Sequence, residues 1–277
     1  MKPFLKWAGN KYQIVDRIKA QLPAGKRLIE PFVGSGAVFM NTHYDRYLLA
    51  DANVDLIRLY QYLQAEGDAF IDYSRQFFVP ANNGKDQFYH FRTEFNTTTD
   101  SRYKSALFIY LNKHCFNGLC RYNQKGEYNV PFGRYKKPYF PEKEMRFFYE
   151  HAQNANFRHA DFAEVMGDAE PGDVIYCDPP YVPLSETANF TSYSAGGFGV
   201  AEQQALAQAA AACAKRGIPV IISNHDTDFV REEYNGARFV AFDVQRYISC
   251  NGSNRGKAAE LLAVFDASPA REVEQPA

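Results

Sequence analysis

The chain has 277 residues, 46% of them hydrophobic and 16% aromatic, which is enough apolar material for one large domain or a domain with a sizeable insertion and excludes a disordered chain. Its formal net charge of −1 excludes a globally basic nucleic-acid binder, so any such role must rest on a local patch. No apolar run reaches the roughly 20 residues that a membrane span needs, and no membrane association is expected.

The five cysteines, Cys115, Cys120, Cys177, Cys213 and Cys250, are odd in number and form no Cys-x-x-Cys pair. That pattern predicts reduced thiols in a cytoplasm, with neither a disulfide framework nor a metal site. Met1 to Trp7 holds no apolar stretch of signal-peptide length, which argues against export.

A helical pattern covers about 10–21. Short runs rich in Val, Ile and Leu, bounded by Gly, Pro or Asp, predict buried strands at Arg27–Phe32 and Arg46–Ala50. Helices are expected over 36–42 and 53–66. Three further helical patterns follow one another at 68–78, 86–96 and 101–115. The segment 116–140 is rich in Gly, Asn, Tyr and basic residues, and a β-hairpin is expected around Lys125-Gly126. Strand-like runs return at Asn156–Arg158, Asp173–Cys177, Pro219–Ser223, Phe239–Val244 and Glu260–Phe265, with helices over 200–215 and 226–234. The tail after Phe265 is polar and expected to fray.

Alternating strands and helices predict a mostly parallel α/β sheet, in which ligands bind beyond the carboxyl ends of the strands. The alternation breaks between about 56 and 145. The expected organisation is a domain made of 1–55 and 146–265, an inserted, largely helical domain at 56–145, and a flexible tail at 266–277.

The strongest chemical signal is Asp178-Pro179-Pro180-Tyr181, directly after the strand-like Val174-Ile175-Tyr176-Cys177. Two prolines stiffen the chain and leave carbonyls to accept hydrogen bonds. An arylamine is a poor nucleophile because its lone pair is delocalised into the ring. A carboxylate and a carbonyl that both accept from its NH2 favour a tetrahedral nitrogen and aim the lone pair, and a tyrosine can stack on the ring; this is preorganisation rather than strong base catalysis. The same four residues could be a simple turn.

The second motif, Glu30-Pro31-Phe32-Val33-Gly34-Ser35-Gly36, reads as a strand followed by a glycine-rich turn. Phe39 stands where a dinucleotide fingerprint would have its third glycine, so the shape suits a nucleoside better than a pyrophosphate. Asp51, at the end of the next strand, can accept ribose hydroxyls or cap the helix that follows. Phe4-Leu5-Lys6-Trp7-Ala8-Gly9-Asn10-Lys11-Tyr12 carries the only tryptophan; Lys11 could pair a carboxylate, or the segment could be a buried anchor. Residues 112–143 hold Lys113, Arg121, Lys125, Arg134, Lys136, Lys137 and Lys143 against Glu127 and Glu142. Such a patch is either a phosphate footprint or a solvated loop.

In this order the motifs resemble those of alpha-group, Dam-type DNA adenine-N6 methyltransferases. Asn117-Gly118-Leu119-Cys120-Arg121-Tyr122-Asn123 and Asn129-Val130-Pro131-Phe132-Gly133-Arg134-Tyr135 are similar to that family's recognition hairpin. Ala188-Asn189-Phe190-Thr191 and Ile222-Ser223-Asn224-His225-Asp226-Thr227 also resemble it. The resemblance spans about 4–265. It implies a Rossmann-like, seven-stranded mixed sheet with an inserted helical recognition domain, S-adenosylmethionine as methyl donor, and GATC in duplex DNA as target.

It further implies that Trp7, Lys11, Glu30, Asp51 and Asp178 bind the cofactor, with Phe32, Gly34, Ser35 and Gly36 lining its pocket and Asp161 and Phe162 beside its adenine. Asp178, Pro179, Pro180 and Tyr181 would hold the target adenine. Asn117, Leu119, Arg121, Asn123 and Pro131 would read the site, Lys6 its first base pair, and Phe116 would intercalate beside the flipped base. Arg134, Lys136 and Lys137 would contact phosphates, with Asn129 and Tyr135 in the same DNA-binding set. A bacterial, cytoplasmic monomer is implied. Asn10 departs from the family, where Gly is usual, and the loop Ser249–Lys257 resembles it in length more than in residues. N4-cytosine methylation, protein glutamine methylation and an inactive DNA-binding regulator are the rival readings.

Overall fold

The apolar runs form strands because Val, Ile and Leu suit a pleated surface covered on both faces. The computed structural model describes residues 1–181, 198–245 and 257–267. Its strands are β1 (Arg27–Glu30), β2 (Arg46–Asp51), β3 (Ala155–His159), β4 (Asp173–Cys177), β5 (Val220–His225), β6 (Arg238–Gln245) and β7 (Lys257–Phe265). They form one seven-stranded mixed sheet in the order β3-β2-β1-β4-β5-β7-β6. The Ala188–Thr191 motif, Cys250, most of the Ser249–Lys257 loop and the tail from 268 lie outside the described residues.

The chain divides into two compact units. One comprises Met1–Val15, Val33–His43 and Asp51–His159; the other comprises Asp16–Phe32, Tyr44–Ala50 and Ala160–Ala277. The expected insertion at 56–145 falls wholly inside the first.

In the second unit β1 pairs in parallel with β2 and with β4, and β4 with β5. β7 runs antiparallel to both β5 and β6. At the start of β1, Arg27 clasps Asp173 of β4 with Nε and Nη2, at 2.9 and 2.5 Å, which pins their register. Helices α7 (Phe162–Gly167) and α8 (Val200–Lys215) cover one face. Val165, Met166, Leu206, Ala210 and Cys213 pack there on Ile29, Leu48, Ile175, Val220, Ile222 and Ala263. α9 (Asp228–Glu233) begins at a Thr227 cap and adds Val230 and Tyr234.

The first unit is mainly helical: α2 (Val54–Glu66), α3 (Asp68–Arg75), α4 (Lys85–Thr97), α5 (Ser101–His114) and α6 (Glu142–His151). α5 is buried on every side from Ser105 to His114, so it is the unit's axial helix. Tyr60 stacks on Phe148 at 4.7 Å, and Phe4, Phe39 and Phe157 close the cluster around them.

Several expectations are corrected. The helix expected over 36–42 is only a 3-10 turn, Phe39–Asn41, because Gly34 and Gly36 hold positive φ of +46° and +70° and keep the chain out of helix. The helix expected over 10–21 splits into a 3-10 turn, Lys11–Ile14, and the short α1 (Val15–Lys19). The hairpin around Lys125-Gly126 turns as expected, but among the described residues it has isolated bridges, Cys115 to Phe132 and Tyr122 to Tyr128, rather than a strand ladder. The helices α6 and α7 are not anticipated by the sequence pattern.

Candidate active site and nucleic-acid interface

In the second unit β1 and β4 are parallel neighbours, and Glu30 and Asp178 stand at their carboxyl ends, where a parallel sheet leaves room for a ligand.

In the first unit the glycine turn is fixed from three sides. Asp51 Oδ2 accepts from the Gly34 N–H at 3.0 Å, and the Tyr60 hydroxyl donates to the Gly34 carbonyl at 2.5 Å. The Trp7 indole covers the glycine so closely that a β-carbon at Gly34 would lie 2.9 Å from its Nε1. The other Asp51 oxygen accepts from the Asn53 N–H at 2.9 Å. Burial raises the Asp51 pKa, opposed by these two N–H groups and by His159. Asp51 is not the helix cap: Asn53 caps α2, accepting from the N–H groups of Asp55 and Leu56. Lys11 is buried, and its ammonium donates to the Gly9 carbonyl at 2.6 Å. Asn10 caps the turn that presents Lys11, so an asparagine serves here without disturbing it. Ser35 is buried in the same turn.

In the second unit Asp178 directly follows β4. Its Oδ1 accepts from the Ser223 hydroxyl at 3.0 Å, and Tyr176 meets the same hydroxyl at 3.0 Å. Burial, together with the Asp178 and Glu30 carboxylates, pushes the Tyr176 phenol well up, so it stays protonated. The Pro180 carbonyl accepts from Gln203 Nε2 at 2.9 Å. Tyr181 donates to Glu260 at 3.3 Å and meets the His225 ring edge-on at 4.7 Å. Phe32 stacks on Phe162 at 5.5 Å, with Phe198 edge-on to Phe32. Asp161 caps α7, its Oδ1 accepting from the Ala163 N–H.

The expected DNA-reading residues all belong to the first unit. Asn112, buried on α5, locks Lys6 by accepting from its N–H at 2.9 Å and donating to its carbonyl at 2.7 Å. The Lys6 ammonium sits over the Tyr135 ring, 4.0 Å from its centroid. Gly118, at φ +65°, lies against the Lys6 stem, where a β-carbon would come within 2.3 Å of Lys6 Cβ. Phe116 is 50% exposed, unusual for an unpaired phenylalanine, and its N–H is held by the Pro131 carbonyl at 2.8 Å. Asn117 takes a positive φ of +54°, as does Arg134 at +56°.

Arg121 is exposed, and Asn129 holds one edge of its guanidinium: Nε donates to Oδ1 at 2.8 Å and Nη2 to the carbonyl at 3.3 Å. Asn123 turns inward instead, accepting from the N–H groups of Lys125 and Glu127 and donating to Glu127. Its side chain shapes the turn. Leu119 accepts from the Tyr128 hydroxyl through its carbonyl at 2.9 Å. Lys136 and Lys137 are exposed, and Asn83 secures the carbonyls of Tyr135 and Lys136.

Several supporting residues escape motif reading. Asn96 clamps the backbone of Tyr128 from both sides, at 2.8 and 3.1 Å. Asp55 accepts from Tyr122 at 2.9 Å and pairs with Lys104. Burial and the neighbouring Lys6 charge bring the Lys113 ammonium down to about 8. Gln203, Ser223 and Asn224 support the Asp178 loop. Only Ser223 and Asn224 carried a signal, through the 222–227 motif.

A seven-stranded mixed sheet with a glycine turn after β1, an acid closing β2 and Asp-Pro-Pro-Tyr after β4 is that of a Rossmann-like methyltransferase. Residues 7–248 match the family of D12 class N6 adenine-specific DNA methyltransferases. The chain is 52% identical over 265 residues to a DNA adenine methylase of Vibrio cholerae, covering 95% of this chain and 96% of that one. It is 52% identical over 265 residues to that of Serratia marcescens, at 95% and 98% coverage. It is 50% identical over 274 residues to that of Escherichia coli K12, at 98% and 99% coverage. Among solved structures, an rRNA methyltransferase of Streptomyces viridochromogenes aligns with a TM-score of 0.39 and 11% identity, over 97% of this chain and 94% of that one.

The chain belongs to the D12 class N6 adenine-specific DNA methyltransferases. It is a site-specific enzyme that methylates adenine N6 in DNA, which requires a methyl donor.

Proposed function

We propose that this enzyme uses S-adenosylmethionine to methylate the adenine of GATC in duplex DNA, flipping that base out of the stack before transfer. The observation that carries this reading is the Asp178 carboxylate, held by Ser223 at the end of β4 beside two prolines. The Asp178 carboxylate and the Pro179 carbonyl both accept from the adenine amino group, and the Tyr181 ring stacks on the base. Among the described residues the Pro179 carbonyl has no hydrogen-bond donor. Acceptance by two fixed oxygens turns the nitrogen lone pair out of the ring plane and aims it. No covalent enzyme intermediate is needed, and the surplus proton departs after transfer.

The residues present fit S-adenosylmethionine. Asp51 is a half-buried carboxylate suited to ribose hydroxyls, and the Trp7–Gly34 approach is one that only glycine permits. Trp7, Lys11, Gly34, Ser35, Gly36 and Asp51 are assigned to the cofactor, as are Glu30, Phe32, Asp161, Phe162 and Asp178; Phe32 and Phe162 stack and offer an aromatic surface for an adenine ring. When bound, the cofactor supplies an electrophilic methyl group on a positively charged sulfur.

GATC recognition is assigned to the loop 116–137. Arg121, with one edge held by Asn129, keeps further N–H groups for guanine. Lys6, Asn117, Leu119 and Pro131 flank it, and the exposed Phe116 fills the space left by the flipped base. Arg134, Lys136 and Lys137 bind phosphates, fixing register without reading sequence. Tyr135 acts by supporting Lys6, and Asn123 by shaping the turn. Within this reading the enzyme works as a monomer in the bacterial cytoplasm.

Radiolabelled S-adenosylmethionine with two duplexes, one containing GATC and one with the site scrambled, tests it. Label at N6 of adenine in the first alone is expected. Equal label in both refutes the GATC assignment. Near-wild-type transfer by Asp178→Ala refutes the role of Asp178.

A further inference from the structure

The Pro180 carbonyl is gripped by a buried polar network that the chemistry so far leaves unused. Gln203, on α8, is 1% exposed, Asn224, on β5, is 0%, and Tyr234, after α9, is 1%. Gln203 Oε1 accepts from the Tyr234 hydroxyl at 2.7 Å and from Asn224 Nδ2 at 3.2 Å. Asn224 Nδ2 also donates to the Tyr234 hydroxyl at 3.1 Å. With its oxygen taken by two donors, the Gln203 amide has one orientation, and its Nε2 donates to the Pro180 carbonyl at 2.9 Å.

Such a network, with every member paired, rigidifies the core around it. Leu206, Ala207, Ala210 and Cys213 lie on the same helix, so an apolar side chain at 203 would pack among them, but at the cost of the partners it takes from Tyr234, Asn224 and the Pro180 carbonyl. What the network does supply is direction. The ring of Pro180 locks its φ, so a single rotation separates its carbonyl from the Pro179–Pro180 peptide. With Asp178 held by Ser223 on one side and the Pro180 carbonyl held by Gln203 on the other, that rotation is restrained, and the Pro179 carbonyl between them with it. β5 supports both acceptors through consecutive residues on opposite faces, Ser223 bonding Asp178 directly and Asn224 acting through Gln203.

We propose that Gln203 is a positioning residue for methyl transfer: by holding the Pro180 carbonyl it aims the Pro179 carbonyl at the adenine amino group. This rests on the reading of Asp178 and Pro179 as the acceptors of that amine. Gln203 touches neither substrate nor cofactor, so its loss slows the chemical step while leaving both binding steps intact.

The test uses the full chain carrying Gln203→Met, which keeps side-chain length and removes both polar atoms. Single-turnover transfer from radiolabelled S-adenosylmethionine to a GATC duplex should fall about ten- to a hundredfold, the scale of a misaimed reacting group. Affinities for cofactor and duplex should stay within about twofold. Fluorescence of 2-aminopurine at the target position should still report flipping, because that base lacks the 6-amino group whose acceptors are disturbed. Gln203→Glu supplies a second readout. Its carboxylate cannot donate to Pro180 but its neutral acid can, so its rate relative to wild type should rise as pH falls.

A wild-type rate for Gln203→Met, a loss accounted for by weakened binding or by the fraction unfolded at the assay temperature, or a Gln203→Glu ratio flat with pH overturns the proposal. Asp178→Ala, run alongside, separates it from its premise. If that variant transfers methyl groups well, the acceptor reading itself fails. If it is inactive while Gln203→Met runs at full speed, only the role of Gln203 fails.

Discussion

Gly34→Ala asks whether the turn after β1 is shaped for a ligand or merely connects two elements. The residue sits at φ +46°, where a β-carbon costs roughly 1–2 kcal/mol. That β-carbon would also lie 2.9 Å from Trp7 Nε1 and 3.1 Å from its Cδ1, inside the ordinary contact distance of about 3.5 Å. Either the indole retreats by roughly half an ångström or the turn opens. Opening the turn strains the bonds from Gly34 to Asp51 and Tyr60, each worth about 1 kcal/mol. The total penalty is about 2–4 kcal/mol. Trp7 and Asp51 are both assigned to the cofactor, so part of that penalty should appear as a tenfold or greater rise in the Kd for S-adenosylmethionine, each tenfold being about 1.4 kcal/mol.

Gly36→Ala is the matched control. Its φ is also positive, at +70°, but the nearest side-chain atoms to a new β-carbon are 3.6 and 3.7 Å away, an ordinary contact. It should lose stability by the backbone term alone and keep cofactor affinity nearer to wild type. Titration calorimetry and ligand-free melting on both variants decide the matter. Equal effects at the two glycines, or a wild-type Kd for Gly34→Ala, would show that Trp7 and the turn do not form a binding surface.

Two further outcomes follow from the recognition region. Arg121→Ala should cost roughly 1–3 kcal/mol of discrimination at one base pair; in a competition assay across single-substituted sites, a uniform loss for every sequence would make Arg121 a phosphate contact instead. His114, buried at the end of α5 against Tyr110 and Phe78, has its pKa pushed from 6.5 down to about 4, mainly by burial. Because the folded value is depressed, its stabilising contribution is complete above about 6.5 and is lost as pH falls toward about 4, a change of roughly 3 kcal/mol for one proton. Urea midpoints of wild type should fall across that window more steeply than those of His114→Gln, and parallel curves would refute the assignment.

What the sequence displayed and what it hid differ by a physical rule. The acid at 178 is chemically odd where it stands, between a buried strand and two prolines, and that oddness shows without coordinates. Phe116 and Arg121 are singled out only by the resemblance, and the exposure of Phe116 needs the structure. The strands were legible for a similar reason, since runs such as Val174–Cys177 are apolar at every position because both faces are covered. Groups that hold those residues in place are ordinary by type. Gln203 lies in an alanine-rich helix and Asn96 in an amphipathic one, and only contacts distant in sequence give them meaning.

The hairpin illustrates the point from the other side. A hairpin usually takes its shape from a ladder of backbone bonds, which strand propensity can signal. Here side-chain amides do part of that work: Asn123 bonds two backbone N–H groups of the turn, Asn129 braces Arg121, Asn96 clamps Tyr128 and Asn83 secures Tyr135 and Lys136. The loop carries strand-forming residues such as Tyr122, Tyr128 and Val130, yet it is held by these amides and by isolated bridges, and Arg121, Lys136 and Lys137 are exposed on it. The sequence pattern predicts the turn but not that the ladder is missing, because side-chain amides bracing a loop from behind leave no strand-like mark, and they let Arg121 stand uncovered by a second strand.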